Sequence, residues 1–270
     1  IIGFILAFHF SADIASSWKT EFASVLGNTA LSNFLVELLR LSIGVIAAVS
    51  IAIALIKLKF VEQRIVVESY VSPVVDFFQR YALKLGLLLL LLICLYRISD
   101  IVLGVIANIF FQDLGYSKKE IASVVKTFGL FMTIAGGFIG GILAVRFGII
   151  KVLFLGALLT VLTNLLFMVL ALIGYNVPLL YVVISADNLS AGIASAAFVA
   201  FLSRLTNVSF TAMQYAIFSS LMTLIPKVIG GYSGSIVENI GYSHFFLFAS
   251  LLGIPVLFII YFANKYLKFE

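Results

Sequence analysis

Long apolar stretches recur along this 270-residue chain, separated by short polar segments. A helix that crosses a lipid bilayer needs about 20 largely apolar residues, because each residue adds about 1.5 Å of length. The stretches fall at residues 1–17, 33–56, 85–111, 119–143, 149–173, 178–203, 210–236 and 243–264. The first is the weakest, because it is short and contains His9 and Asp13. The pattern predicts an all-α, polytopic membrane protein.

The composition excludes a soluble fold of this size. Apolar residues make up 63% of the chain and charged residues only 11%, whereas soluble domains carry roughly 25% charged residues. The net charge of +5 does not indicate a nucleic-acid partner, because no basic run is interleaved with exposed aromatic residues. Cys94 is the only cysteine, so a disulfide within the chain and a cysteine-based zinc site are excluded. We expect no cofactor and no metal.

The distribution of basic residues predicts the orientation. Lysine and arginine are enriched in the short cytoplasmic loops of membrane proteins. Ten lie on one predicted side: Lys57, Lys59, Arg64, Arg80, Lys84, Arg146, Lys151, Arg204, Lys265 and Lys268. The other side receives Lys118 and Lys119, with Lys19 beyond the weak first span. We therefore expect the segment 57–84 and the C-terminus to be cytoplasmic.

Two spans, a cytoplasmic linker and six further spans resemble a major-facilitator protein cut within its N-terminal half. The turn from Gly141 to Lys151 is similar to the facilitator loop motif Gly-x-Leu-Ala-Asp-Arg-x-Gly-Arg-Arg, with Val145 at the acidic position and Ile149 at a basic one. The alternative is a generic basic turn. The resemblance implies four parts: residues 1–56 as the last two spans of an incomplete N-terminal half, 57–84 as the linker, 85–264 as a C-terminal six-helix bundle and 265–270 as a cytoplasmic tail.

Five charged residues lie inside the six predicted spans of the bundle: Arg97, Asp100, Lys126, Asp187 and Lys227. A charge at the centre of a spanning helix costs roughly 2.5–3.5 kcal/mol on insertion scales, so such residues are usually functional. At about 1.5 Å per residue, Asp100, Asp187 and Lys227 lie about 14–17 Å below the outer ends of their spans and Lys126 about 10 Å. Transporters place substrates and coupling ions near this depth.

The functional interpretation has a structural alternative for each of these charges. Asp100 and Asp187 are candidates for proton coupling, because a carboxylate withdrawn from water binds a proton more readily. Arg97 and Asp100 could instead form a structural ion pair one helical turn apart, and Lys126 could extend outward to water.

Asn108 shares one helical face with Arg97 and Asp100. Lys227 follows Pro226, which is expected to kink its helix and to turn Lys227 towards Asp187. The structural alternative for these two residues is a Lys227–Asp187 ion pair.

One short motif suggests an enzyme. Residues 231–234 read Gly-Tyr-Ser-Gly, which matches the Gly-x-Ser-Gly of rhomboid proteases, and His244 follows. A rhomboid takes its histidine from a helix two spans further on, whereas Ser233 and His244 flank a single turn with one span remaining. We therefore expect no enzymatic activity. Four glycines at residues 136, 137, 140 and 141 form two overlapping Gly-xxx-Gly pairs, which are typical of close helix packing.

Several motifs resemble the AmpG muropeptide permease family over residues 90–262. Asp187 followed by Asn188 resembles its acidic-Asn pair, residues 197–200 read Ala-Phe-Val-Ala, and residues 211–216 read Thr-Ala-Met-Gln-Tyr-Ala around Gln214. Residues 96–100 and 126–130 are similar to the family's Tyr-Lys-x-x-Asp and Lys-Thr-x-Gly-Leu.

This resemblance implies a proton-driven importer of peptidoglycan fragments in a bacterial inner membrane, active in cell-wall recycling. Its substrates would be N-acetylglucosaminyl-anhydro-N-acetylmuramic acid and its peptides. The partners would be the bilayer, protons, the anionic sugar-peptide and the missing N-terminal half. Substrate-binding candidates are Arg97, Asn108, Lys126, Asn188, Gln214 and Lys227.

Two alternatives remain open. The related acetyl-CoA transporters, or another facilitator importer, would fit the same layout. The chain also begins Ile1-Ile2-Gly3 without an initiator Met, so we expect it to be truncated. A truncated polypeptide could be a non-transporting remnant, because alternating access requires two halves that move about one site.

Overall fold

The computed structural model describes residues 2–27, 29–60 and 62–266, and almost all of them are helical. The predicted tail lies mostly outside these residues, as do Ile1, Asn28 and Val61. The α-helices are α1 (Ile2–Leu26), α2 (Thr29–Lys57), α3 (Gln63–Val66), α4 (Ser72–Leu95), α5 (Ile98–Asp113), α6 (Lys118–Glu120), α7 (Gly129–Phe147), α8 (Ile149–Ile173), α9 (Val177–Leu205), α10 (Thr211–Gly230) and α11 (Ser233–Tyr266). Two π-helical segments, Val67–Val71 and Ile121–Phe128, and one 3-10 turn, Val208–Phe210, lie between them.

Within the described residues, seven helical runs are long and apolar enough to cross a membrane. They are Leu35–Lys57, Gln63–Asp113, Lys118–Phe147, Ile149–Ile173, Val177–Leu205, Val208–Gly230 and Ser233–Tyr266. The predicted class, an all-α membrane protein, is confirmed. The weak first stretch forms α1 but is not among these seven runs, so its assignment as a span stays a prediction.

The chain divides into two compact units, residues 1–72 and 73–270. In the first unit, α1 and α2 form a hairpin in which the Lys19 ammonium lies 2.7 Å from Glu37 and the Arg40 guanidinium 2.9 Å from the same carboxylate. The boundary falls inside the predicted linker 57–84, so that residues 73–84 belong to the second unit. The division into linker and bundle stays a prediction.

Several helices of the second unit are bent or interrupted. In α4 the backbone turns sharply at Ala82, which has φ 55° and ψ 166°. The spanning segment that follows is interrupted at Tyr96 and Arg97, between α4 and α5. The run from α10 to α11 is interrupted at Gly231 and Tyr232, and α11 turns at Gly241. Two of the predicted continuous spans, 85–111 and 210–236, are therefore broken helices.

Glycines and capping side chains set the joints between the other helices. Gly148 (φ 90°) joins α7 to α8 and Gly174 (φ 86°) joins α8 to α9, in a region of backbone space that other residues rarely adopt. Ser117 and Glu120 form a reciprocal capping box at the start of α6. The Asn176 side chain accepts a hydrogen bond from the Leu179 amide and caps α9.

The glycines of the overlapping pairs divide into two sets. A Cβ on Gly136 would lie 2.2 Å from the Leu189 carbonyl oxygen, and one on Gly140 would lie 2.7 Å from the Ile193 Cα. Gly137 and Gly141 would meet nothing within 4 Å. Close backbone packing between α7 and α9 therefore depends on Gly136 and Gly140, and Gly192 of α9 meets α7 in the same way.

Candidate functional site

A cavity of about 340 Å³ opens among α5, α7, α8, α9 and the π-helical segment Ile121–Phe128. Polar and apolar side chains both line it, together with Gly104. The lining residues that carry chemistry are Asp100, Lys126, Thr133, Asp187 and Asn188. Four of the residues predicted from the sequence, on three separate spans, thus meet at one cavity.

Arg97 stands at the interruption between α4 and α5, and it pairs with Asp100. One terminal nitrogen of its guanidinium donates to the Asp100 carboxylate, and the other donates to the Ser195 hydroxyl on α9 at 2.5 Å. The Nε atom is buried and has no hydrogen-bond partner among the described residues. Both side chains of the pair are only about a fifth exposed (23% and 21%). The charge of Asp100 is therefore compensated within the protein.

Asp187 differs from Asp100 in the partners of its carboxylate. In the described part of the chain its carboxylate has one hydrogen bond, a long one that the Thr163 hydroxyl of α8 donates at 3.5 Å. Among the described residues, no lysine, arginine or histidine nitrogen lies within the 4.0 Å of an ion pair. Asp187 is thus a carboxylate in the protein interior without a direct cationic partner.

Lys126 and Asn188 supply the other polar groups of the wall. The Thr133 hydroxyl donates to the Asn188 side-chain oxygen at 2.9 Å, and the Asn188 amide donates to the Ile184 carbonyl at 3.1 Å. This fixes the orientation of the Asn188 amide. Lys126 lies on the π-helical segment and is exposed, and no carboxylate in the described part of the chain forms an ion pair with it. Its ammonium is free to meet a ligand.

Tyr96 anchors the helix interruption that positions Arg97. Its buried hydroxyl lies 3.1 Å from the Leu153 carbonyl and 3.4 Å from the Ala194 carbonyl, and its ring stacks on Phe198 at 4.5 Å.

Thr163 and Ser195 also hold the charged side chains. Sequence reasoning did not single out Thr163 and Ser195, because isolated Ser and Thr are common in spanning helices and only the helix rotations show which ones face a charge.

Four predicted substrate-binding residues do not line this cavity, and one of them is Arg97, the partner of Asp100. Asn108 and Lys227 are exposed, and no described carboxylate forms an ion pair with Lys227. The structure therefore does not place Lys227 in an ion pair with Asp187. Gln214 is almost fully buried (1% exposed) in a separate polar cluster with Asp76. Their roles in substrate binding stay predictions.

The serine-histidine pair of the protease interpretation does not assemble. The Ser233 hydroxyl is buried and donates to the Val102 carbonyl at 3.1 Å. The His244 side chain is exposed, and its Nδ1 atom lies 3.0 Å from the Ile240 carbonyl oxygen of its own helix. Each group already has a backbone partner, so the arrangement does not support nucleophilic catalysis.

An apolar helix bundle with a charged cavity in its interior is an arrangement found in helical membrane transporters. The profile of the Major Facilitator Superfamily matches residues 88–268, and the chain belongs to this superfamily.

More specific relatives confirm the AmpG resemblance. The chain is 33% identical over 198 residues to a Rickettsia conorii protein named "Putative transporter AmpG 4", covering 73% of this chain and 47% of that protein. A Rickettsia bellii protein named "Putative transporter AmpG 1" is 36% identical over 174 residues, covering 64% of this chain and 42% of that protein. An uncharacterized Haemophilus influenzae protein is 36% identical over 195 residues, covering 70% and 46% respectively. The chain spans about half the length of these curated relatives.

Proposed function

We propose that this chain is part of a proton-coupled importer of peptidoglycan fragments and contains its C-terminal bundle. The substrate class is N-acetylglucosaminyl-anhydro-N-acetylmuramic acid with or without its peptide, taken up across a bacterial inner membrane for cell-wall recycling. The observation that carries the proposal is the cavity in which Asp100, Lys126, Asp187 and Asn188 meet. The names of the relatives support the substrate class.

The two carboxylates have different roles in this proposal. A coupling group must change its protonation state during the cycle, whereas a carboxylate held by a guanidinium keeps its charge. Asp100 has Arg97 as a partner, and Asp187 has only the long hydrogen bond from Thr163. Asp187 therefore carries the coupling proton, and Asp100 holds Arg97 in place.

The remaining polar groups match the chemistry of a muropeptide. The free ammonium of Lys126 suits the lactyl carboxylate or the peptide carboxylates, because charge-assisted hydrogen bonds are stronger than neutral ones. The Asn188 amide suits a sugar hydroxyl or an N-acetyl group. The apolar part of the wall, which includes Leu103, Phe111 and Phe167, suits the faces of the sugar rings.

The test is uptake of radiolabelled anhydro-disaccharide, with and without peptide, by cells or proteoliposomes that contain the complete gene product. Wild-type protein should accumulate the substrate when a proton gradient is imposed. Asp187→Asn should abolish gradient-driven accumulation and preserve exchange of internal for external substrate, because the neutral amide permits the conformational change but carries no proton.

The matched control is Glu238→Gln, which neutralises an exposed carboxylate outside the cavity and should leave accumulation unchanged. Normal accumulation by Asp187→Asn would reject Asp187 as the coupling group. No uptake of any muropeptide by the wild-type protein, with acetyl-CoA transported instead, would reject the substrate class.

A further inference from the structure

A second polar cluster, built around the buried Gln214, joins the start of the second unit to the connection between α9 and α10. Asp76 and Arg80 lie on the first part of α4, Asn207 lies in the connection, and Gln214 lies in the first turn of α10. The Asp76 carboxylate accepts hydrogen bonds from Asn207 (2.7 Å), Gln214 (2.8 Å) and Arg80 (2.9 Å). Residues 76 and 80 are far in the sequence from residues 207 and 214, so the cluster is a tertiary contact between α4 and the α9–α10 region.

Gln214 is at the centre of this cluster, and all its hydrogen-bonding capacity is used. Its Nε2 group donates to the Asp76 carboxylate and to the Pro73 carbonyl, both at 2.8 Å. Its Oε1 atom accepts from the backbone amide of Asn207 at 2.7 Å and from the Arg80 guanidinium at 3.2 Å. A glutamine side chain has two donors and two acceptor positions. No position is left for a substrate.

Apolar contacts support the same fastening. The Phe77 ring is buried and lies 5.3 Å from the Phe218 ring of α10, one turn beyond Gln214. Phe78 covers Gly86 on the far side of the bend, where a Cβ would lie 2.9 Å from the Phe78 ring. Because Ala82 holds φ 55°, which is unfavourable for alanine, the surrounding contacts must fix the bend.

We propose that residues 73–81 form a strap clamped to the α9–α10 connection, and that Gln214 positions Asp76 to keep the clamp closed. The strap makes residues 73–81 a rigid part of this bundle, so that this segment and the bundle move together during the transport cycle. Gln214 is thus a positioning residue rather than a substrate contact. The inference rests on the proposed transport function for its effect on turnover, but not for the clamp itself.

The test combines a spin label with uptake measurements on the complete gene product. The label is attached to a cysteine at the exposed position Gln79, after the buried Cys94 has been replaced by alanine. Gln214→Ala should convert an ordered label spectrum into a mobile one, because Asp76, Pro73 and Arg80 lose their shared partner. The maximal uptake rate should fall at least fivefold, while the KM for the muropeptide stays within about twofold.

Gln112→Ala is the matched control, because Gln112 is an exposed glutamine whose side chain, among the described residues, bonds only to the Asn108 carbonyl of its own helix. It should change neither the spectrum nor the uptake. If Gln214→Ala does not fold, Asp76→Asn tests the same clamp, since it removes the charge that Arg80 pairs with.

An ordered label in the variant, a raised KM with an ordered label, or a mobile label with unchanged uptake would each overturn the proposal. If wild-type protein takes up no muropeptide, the transport proposal fails, and the label spectrum still decides whether the strap is clamped by Gln214.

Discussion

At the scale of single residues, the difference between Asp100 and Asp187 is one of partners. Arg97 donates to Asp100 from a helix interruption, and the two side chains are about a fifth exposed. Removing one member of a buried pair leaves the other uncompensated and costs about 3–5 kcal/mol when burial is complete. Partial exposure reduces this cost, because water screens the remaining charge.

We therefore expect Arg97→Ala to destabilise the protein by about 1–3 kcal/mol, because it leaves Asp100 charged and unpaired in the interior. The measurement is the midpoint of thermal unfolding in detergent, followed by far-UV circular dichroism or by loss of monodisperse protein. Adding Asp100→Asn to Arg97→Ala should restore part of the loss. A double variant less stable than the single one would show that the two residues are not an energetic pair.

Lys126 provides a second prediction at this scale. If its free ammonium meets the carboxylates of the substrate, Lys126→Ala should raise the KM for peptide-bearing muropeptide about tenfold, since a hydrogen bond to a charged group contributes about 1.5–3 kcal/mol. The less anionic disaccharide should be affected less. The control is Lys119→Ala, an exposed lysine that does not line the cavity. Equal losses for both substrates would indicate that Lys126 does not recognise the peptide.

At the scale of helices, the contact between α7 and α9 depends on which glycines face the partner. Gly136→Ala should destabilise the protein by about 1–3 kcal/mol, because the new methyl group would overlap the Leu189 carbonyl oxygen. Gly137→Ala is the matched control, since nothing lies within 4 Å of its Cβ, and it should be nearly neutral. The melting midpoints of the two variants in detergent test this difference. Equal destabilisation would contradict the packing of α7 on α9.

At the scale of the whole molecule, the prediction concerns orientation. The basic residues favour one side, so the segment 57–84 and the C-terminus should face the cytoplasm. A fluorescent protein fused after Tyr266 should be fluorescent, and alkaline phosphatase at the same position should be inactive. The reverse result would invert the orientation of every span. A fusion in the Ser117–Lys118 turn, on the opposite side, should give the opposite pair of signals and serves as the control.

The sequence by itself determined the class of fold and most of the span positions. A bilayer demands about 20 apolar residues from every spanning helix, and this demand is local, so a window of sequence shows it. Helix α8 covers 149–173, the same limits that the apolar stretch predicts. The charges of Asp100, Lys126 and Asp187 likewise stand out in the sequence as a candidate site, because a charge in an apolar span is rare, and the three residues line one cavity.

The tertiary structure alone decided which partner each polar residue has. The sequence suggested that Lys227 meets Asp187 and that Gln214 meets a substrate, whereas the structure leaves Lys227 exposed and surrounds Gln214 with Asp76, Arg80 and Asn207. The break between α4 and α5 at Tyr96 also involves distant residues, because the Tyr96 hydroxyl donates to backbone carbonyl groups of α8 and α9. Depth in the membrane follows from counting residues, but the direction of a side chain depends on the rotation of its helix. That rotation is set by packing against distant segments, such as Gly136 against Leu189, and no local window of sequence contains it.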